Sequence, residues 1–409
     1  MRIKILKTGF LFVLLFIALI QISNAQSIRE FGVKPSNSAE LNKINLQKAI
    51  DLMSRKGGVL YVEPSDSAYP INGGLILRKN VSLVGANAAT PRGTCHPSKP
   101  QPVGSVFEIT DTEHVFITVE SATQIKGIQF WYSEQAIKDA SKIIEYPATI
   151  RLSYENSTQG VTLNNLTFYG EYLTIDFAAP KGKLSELLTV EHCFAYPLSG
   201  QFVRIDYCYD IPRILHCHVN PAITREFAGG YSKEIIDAVV AKKTFAYSIN
   251  HTDNAQLIDI FSFGTYGGIY LGGETYGQLT NFNFDCVTIG IDKLGNNTKN
   301  RNWQIAQGSI IANTGDKIED VHPIIIEGVG HTSLSNVEAF SGNNPALTNF
   351  GVSYDFLTIK GDKKCTVSMF GCRMRNYVAD DPLTVLNKKA IIQVYGCIDK
   401  NEEIYNYKK

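Results

Sequence analysis

Apolar residues recur along this chain as a short pattern: one position, a second three residues on, and a third two further. The pattern is plain in Leu163-Asn164-Asn165-Leu166-Thr167-Phe168 and returns in Leu279-Thr280-Asn281-Phe282-Asn283-Phe284 and Leu334-Ser335-Asn336-Val337-Glu338-Ala339. Ten such segments begin at Ile125, Leu163, Val190, Ile214, Leu257, Leu279, Ile305, Leu334, Val367 and Ile392, spaced 22 to 43 residues apart. Spacing in that range signals a solenoid, whose units cannot bury their own apolar side chains and do so by stacking on their neighbours. Upstream of most segments lies a short alternating strand, as in Val115 to Val119, Ile150 to Leu152, Leu173 to Ile175, Val203 to Ile205, Tyr247 to Ile249, Ile269 to Leu271, Ile324 to Ile326 and Leu357 to Ile359. Two further strands follow, separated by one bend residue. In three coils that residue is Asn165, Asn281 or Asn336, and asparagine tolerates the left-handed backbone that a one-residue corner requires. Three short strands per coil with no helix between them predict an all-β, right-handed parallel β-helix of about ten coils. An antiparallel sandwich would need hairpin turns and polar outer faces in place of one repeated corner.

The cysteines fit this register. Cys193 and Cys217 stand three residues into their segments and Cys372 and Cys397 five into theirs, so each pair is expected side by side on adjacent coils, pointing inward. Parallel strands lie about 4.8 Å apart, within disulfide reach, but in-register side chains give poor bond geometry, so buried free thiols are the expectation. Cys95, Cys208, Cys286 and Cys365 have no evident partner, and the eight cysteines define no disulfide framework.

Residues Met1 to Ala25 read as a secretory signal: Arg2, Lys4 and Lys7 precede the apolar run Phe10 to Ile20, and Ser23-Asn24-Ala25 supplies small residues for cleavage after Ala25. A secreted or periplasmic product follows, with residues 26–409 forming one elongated β-helix domain and 26–85 its N-terminal cap. No second long apolar stretch offers membrane insertion. Basic and acidic residues balance at 39 each with no basic tract, which excludes the electrostatic footprint of a nucleic-acid binder. A monomer or weak homo-oligomer is expected.

After the signal come Phe31-Gly32-Val33-Lys34, the helical stretch Asn45-Leu46-Gln47-Lys48-Ala49-Ile50-Asp51, then Gly57-Gly58-Val59-Leu60-Tyr61-Val62 and Asn80-Val81-Ser82-Leu83-Val84-Gly85. This order resembles the N-terminal module of the pectate-lyase-like β-helix superfamily, in which a capping helix precedes a glycine pair and the first coil. The usual aspartate-rich stretch is replaced here by Pro35-Ser36-Asn37-Ser38. The helix is expected to cover the open end of the solenoid, whose strand edges would otherwise pair with other chains. The resemblance implies carbohydrate chemistry, by lyases and hydrolases acting on acidic polysaccharides, although a shared fold does not fix a reaction.

In proteins of that architecture the substrate lies along the sheet built from the first strand of each coil. The outward side chains there are read as Arg151, Arg204, Ser248 and Tyr270 in one row, with Asp176, Asp206, Asn250 and Glu327 ending the strands. Asp176 and Asp206 on consecutive coils would lie about 5 Å apart at the backbone, close enough to push their pKa values apart for acid and base roles, unless they are ordinary solvated strand ends. The longest gap holds a short amphipathic helix between Ser232 and Lys243 and brings Arg225, Lys242 and Lys243 near the central coils; Asn250-His251-Thr252-Asp253 lies in the turn beside the cleft. Arg204, Asp206, His251, Tyr270 and Asp176 are therefore the catalytic candidates, and Arg151, Arg225, Lys242, Lys243 and Asp253 the substrate-binding ones. Trp131, Tyr132 and Tyr146 in a shorter insertion either stack on sugars or pack their loop. His192-Cys193 and His216-Cys217-His218 bring zinc ligands to mind, but the register turns the cysteines inward and the histidines to the corner, so no zinc site is expected. Calcium through Asp206, Asp210 and Asp253 stays open as an alternative without a loop signature, and no other cofactor is expected. The reading is a secreted enzyme cleaving an acidic, uronate-containing polysaccharide by β-elimination, with a polygalacturonase-like glycoside hydrolase or a non-catalytic glycan-binding β-helix as the alternatives.

Overall fold

Alternation along a strand sends every second side chain to one face, and in this chain that face is the inside of a tube. The computed structural model describes residues 25–86, 104–180, 182–226, 230–294, 302–340 and 350–407. Eleven rungs of one parallel sheet run from Leu75–Leu77 through Ile150–Leu152, Val203–Tyr209 and Ile289–Leu294 to Leu383–Val385. A second sheet of twenty strands supplies the other walls, and its pairings between coils are also parallel. The result is the parallel β-helix that the repeat predicts. One continuous apolar cluster fills it from Ile28 to Cys397, each buried aliphatic side chain contributing about 1.5–3 kcal/mol.

The corner is a single residue in left-handed conformation. Asn165, His192, His216, Asp259, Asn281, Gln307 and Asn336 occupy it with φ between 52° and 56°. Strands Arg213–Val219 and Ala255–Phe263 run through this bend without a break. The residue after the corner points inward, which places Cys193 beside Cys217 and Cys372 beside Cys397 on neighbouring coils, all four buried and unbridged.

The last two coils differ from the expected register. Val367 stands opposite Thr332 and not Leu334, whose partner is Met369, and Met369 in turn pairs with Val394. The repeat segments there begin at Met369 and Val394, two residues later than expected, so Cys372 and Cys397 share the column of Cys193 and Cys217. Phe370 and Tyr395 account for the shift: both are exposed, and their rings stack 5.2 Å apart on the outside, so two outward aromatics mimic the inward pattern. The rung Ile289–Leu294 also escapes the sequence pattern. Lys293 stands between Leu271 and Ile326 in an inward column, 2% exposed, where an apolar residue is expected. Burial pushes its ammonium pKa down to about 8.

Helix Ala39–Met53 closes the N-terminal end, starting where the Ser38 hydroxyl accepts from the Leu41 N–H, and it buries Leu46, Ala49, Ile50 and Met53. Residues 1–24 of the expected signal lie outside the described residues; Ala25–Ser27 forms a strand beside Gly58–Val62. No helix among the described residues is long and apolar enough to cross a membrane. The longest insertion forms helix Lys233–Ala241, capped by Ser232. Its Ile235, Ile236 and Val239 pack with Tyr169, Tyr196, Leu198 and Tyr231 in a second apolar cluster on the outside of the tube. In the shorter insertion Tyr132 and Tyr146 are buried against each other, ring centroids 4.7 Å apart, so they pack their loop and present no face for a sugar.

Stacking in register makes each inward column sensitive to side-chain volume. Gly308 lies under the Phe282 ring, and an added Cβ would fall 2.0 Å from Phe282 Cζ. Gly308→Ala should lower stability by about 1–3 kcal/mol, read as a drop in melting temperature. Combining it with Phe282→Leu should recover part of that loss.

Candidate functional site

Because the coils stack in register, outward side chains of the eleven-rung sheet form rows along the solenoid. One row reads Arg151, Asp176, Arg204, Ser248, Tyr270, Asp292, Ile325 and Thr358. Two residues further along the strands a second row carries Ala178, Asp206 and Asn250, and on later coils Leu294, Glu327 and Lys360.

Asp176 thus stands between two arginines and not beside Asp206, which faces Ala178 instead. The expected pair of carboxylates does not form, because the strand here is Ile175–Ala178 and not Leu173 to Ile175. Asp176, 6% exposed, takes a two-pronged hydrogen bond from Arg204, Nε to Oδ1 at 2.9 Å and Nη2 to Oδ2 at 2.8 Å. That fork occupies the guanidinium expected to bind a uronate. Arg151 lies over the Tyr154 ring at 4.5 Å.

Asp206 meets His251 one coil on, its Oδ1 2.8 Å from Nδ1. The imidazole stacks on Tyr207 with centroids 4.6 Å apart and planes 5° from parallel. Tyr207 and His251 both have positive φ, 55° and 39°, so a second one-residue bend aims these rings off the end of their strands. Tyr270 follows on the next coil, opposite Ser248. Asp206, His251 and Tyr270 therefore come from three consecutive coils. The remaining candidates scatter. Lys242 pairs with Glu145 at 2.7 Å and lies over the Tyr172 ring, tying the two insertions together. Lys243 lines a cleft beside the insertion helix. The Asp253 N–H donates to the Cys208 carbonyl, and the Arg225 side chain lies outside the described residues. Among the described residues no three His, Cys, Asp or Glu side chains converge as a metal site would require. His192 and His216 stack on each other at the corner, away from the inward cysteines.

A second group lies further along the same face. Asp292 is partly buried, and that burial raises its carboxyl pKa; the charge of Lys360 opposes the rise, that of Glu327 adds to it and His322 also opposes it. Glu327 sits one strand and two residues from Asp292, a backbone diagonal of roughly 8 Å. Burial raises the Tyr270 hydroxyl pKa, with added effects of Asp292 and Glu327. Beside this group His322 Nδ1 lies 2.8 Å from Oδ1 of Asp355, a carboxyl with no exposure, whose Oδ2 also accepts from the Thr358 hydroxyl. His322, Ile325 and Lys360 open onto a cleft of about 680 Å³ between the insertion helix and the edge of the sheet.

No protein-family model matches the sequence, and no curated protein is significantly similar to it. Solved structures do match. A DFA-IIIase from Arthrobacter chlorophenolicus A6 in complex with GF2 superposes with a TM-score of 0.57 at 10% identity, covering 94% of this chain and 96% of that one. An exopolygalacturonase from Thermotoga maritima gives 0.50 at 11% identity over 92% of each chain. The tailspike protein of E. coli bacteriophage HK620 gives 0.51 at 12% identity over 92% of this chain and 71% of its own. The fold they share with this chain is the parallel β-helix. At such identities the likeness is one of fold, and the site must be argued from its own residues.

In this β-helix the outward row of polar residues extends past those that the sequence singled out. Asp292 escaped because its strand was hidden by Lys293, and Asp355 because it lies just ahead of the strand Leu357–Lys360. One more acid is buried beside the outer apolar cluster, hydrogen-bonded to its Tyr196. Glu171 lies fully buried beneath the insertion; its Oε1 accepts from Thr174 Oγ1 and the Tyr196 N–H, while Oε2 has no partner among the described residues. Burial pushes its pKa up to about 7. Between its unfolded value and about 7 the unfolded chain holds fewer protons than the native one, so stability should fall as pH rises through this window. The full loss, of order 3 kcal/mol, is reached above it. Glu171→Gln should remove that slope, measured as melting temperature against pH from 5 to 8.5 in wild type and variant.

Proposed function

We propose that this protein is a carbohydrate-active enzyme that cleaves a glycan lying across the outward rows of its eleven-rung sheet, by hydrolysis. The observation that carries the reading is the group at Asp292: a partly buried carboxyl held toward its protonated form, with Glu327 on the diagonal and Lys360 beside both. Two carboxyls in unequal surroundings are what glycosidic hydrolysis requires. Asp292 would be the acid that donates to the departing glycosidic oxygen, and Glu327 would activate water or attack the sugar carbon. Tyr270, between His251 and Asp292 along the sheet, would hydrogen bond the sugar ring. Similarity in fold to an exopolygalacturonase and to a DFA-IIIase supports carbohydrate chemistry in general.

β-elimination is the second reading, favoured by the Asp206–His251 pair, in which a carboxylate orients an imidazole that could take a proton. It is disfavoured because Arg204 and Lys242, the cations expected to neutralise a uronate, are already paired with Asp176 and Glu145.

Incubation with a panel of neutral and acidic glycans should release reducing ends with no ultraviolet absorbance of an unsaturated uronide. Asp292→Asn and Glu327→Gln should each lower turnover by about 10²–10⁴-fold with little change in melting temperature. An absorbance gain that His251→Ala abolishes would establish elimination instead. Because Lys360 holds the Asp292 pKa down, Lys360→Met should move the alkaline limb of the activity profile to higher pH; a limb that stays put would remove Asp292 as the acid.

A further inference from the structure

Both insertions dock on the tube at one place, the segment Gly170 to Glu171. From the shorter insertion, Gln135 Nε2 donates to the Gly170 carbonyl and to the Ile144 carbonyl, each at 2.9 Å, while Gln135 Oε1 accepts from the Ile144 N–H at 2.8 Å. From the longer one, the Tyr231 hydroxyl accepts from the Gly170 N–H at 3.0 Å and donates to the Tyr196 carbonyl at 2.8 Å. The insertions also hold each other. The Ser232 N–H donates to the Ile137 carbonyl at 2.9 Å, and the Ala140 N–H to Glu234 Oε1 at 3.0 Å. They are thus joined as one outer unit. Its contact with the tube is close: an added Cβ at Gly170 would fall 2.8 Å from the Tyr132 carbonyl oxygen.

That docking segment carries a carboxyl with no counter-charge. Glu171 has no exposure, and its Oε2 has no hydrogen-bond partner among the described residues; the Tyr169 hydroxyl is buried without one as well. The ionisable groups that face Glu171 are Tyr132 from the shorter insertion, Tyr231 from the longer one and Tyr169 from the tube, and the glutamate raises the hydroxyl pKa of all three. Among the described residues no cation acts on it, and Lys242 is held at the rim by Glu145 and the Tyr172 ring. Burial raises the Glu171 pKa to about 7, and the hydrogen bonds from its own N–H, the Tyr196 N–H and Thr174 offset only part of that rise. A dry carboxylate without a cation is strongly unfavourable, and Tyr132 and Tyr231 of the outer unit are what cover this one.

We propose that Glu171 is a proton-operated latch: protonated, it lets the outer unit dock, and ionised, it lifts that unit from the tube together with the helix Lys233–Ala241, which lines the lateral cleft. The latch follows from the docking geometry and needs no chemistry at Asp292. The docked state keeps its proton up to about pH 7, whereas a lifted state with the carboxyl in water gives it up near the usual 4.5. Lifting is therefore favoured progressively as pH rises from 4.5 to about 7, and levels off above that. Between pH 5 and 8 the ratio of lifted to docked molecules should change by about a hundredfold.

Amide hydrogen exchange of the intact protein, read by mass spectrometry between pH 5 and 8 with the intrinsic rate at each pH divided out, tests the latch. Opening in segments 132–146 and 232–243 should rise about a hundredfold over that range. The tube strand Gly330–Ala339 should show no such rise. Glu171→Gln should hold both insertion segments near their acid level at every pH. Tyr231→Phe removes a tie to Gly170 and Tyr196 but keeps the carboxyl, so it should raise opening at pH 5 about tenfold and preserve the slope. Corrected exchange in the insertions that does not change with pH would overturn the latch, as would a slope that survives Glu171→Gln. A rise shared equally by Gly330–Ala339 would overturn it too, because Glu171 would then be uncovered only when the whole tube unfolds.

Discussion

Register between coils is the constraint on which everything else in this molecule depends. No coil has an interior of its own; each strand completes its backbone hydrogen bonds only on the coils before and after it, and each inward side chain is covered only by its column neighbours. A one-residue corner fixes that register, since a left-handed residue such as Asn165 or His216 turns the chain without spending a second position. Inward columns then become lines of contact, where Gly308 makes room for Phe282 and four cysteines stack as ordinary apolar residues. Outward rows follow from the same register, and so does the alignment of Arg204 with Asp176 and of Asp206 with Asn250.

The two insertions build on this frame. Their apolar side chains form a core of their own on the outside of the tube, and Lys242 with Glu145 and Tyr172 joins one insertion to the other. The cleft exists because the helix Lys233–Ala241 is held off the sheet edge by that packing. Rigid coils position the charged rows, while a less regular wall decides what can approach them. This division of labour is common where a regular scaffold carries a site.

The coil architecture was legible because its signal is repeated: a corner and two inward residues recur often enough to stand out from any single exception. Single exceptions are where the reading failed. Lys293 broke the alternation of one strand and hid Asp292 with it, and the outward pair Phe370 and Tyr395 offered a false match two residues from the true one. Asp206 and His251 could be brought together from sequence, because adjacent coils and a short turn leave few alternatives. The Arg204 fork onto Asp176 could not, because a strand boundary misplaced by a residue or two exchanges which row a side chain joins. Asp355 and His322 meet between a loop and a strand start, and no periodicity reports on such a contact.

A hinge one residue long gives the solenoid something like a reading frame. Extra residues in the turns ahead of the eleven-rung sheet bulge outward and leave both neighbouring coils in phase, as the insertion carrying Lys233–Ala241 does. One extra residue beside Asn281 or Asn336 has no such outlet: the following strand would turn its polar face to the core. Length changes are therefore expected mainly in those turns or as whole coils; the first coil departs from this, since Val84 and Val106 face Lys126 and Gln129 with twenty-one residues between them where the next coil has two. The flank that tolerates them is the one that bears the cleft, so changes in chain length and changes in ligand choice would be drawn from the same stretch of sequence.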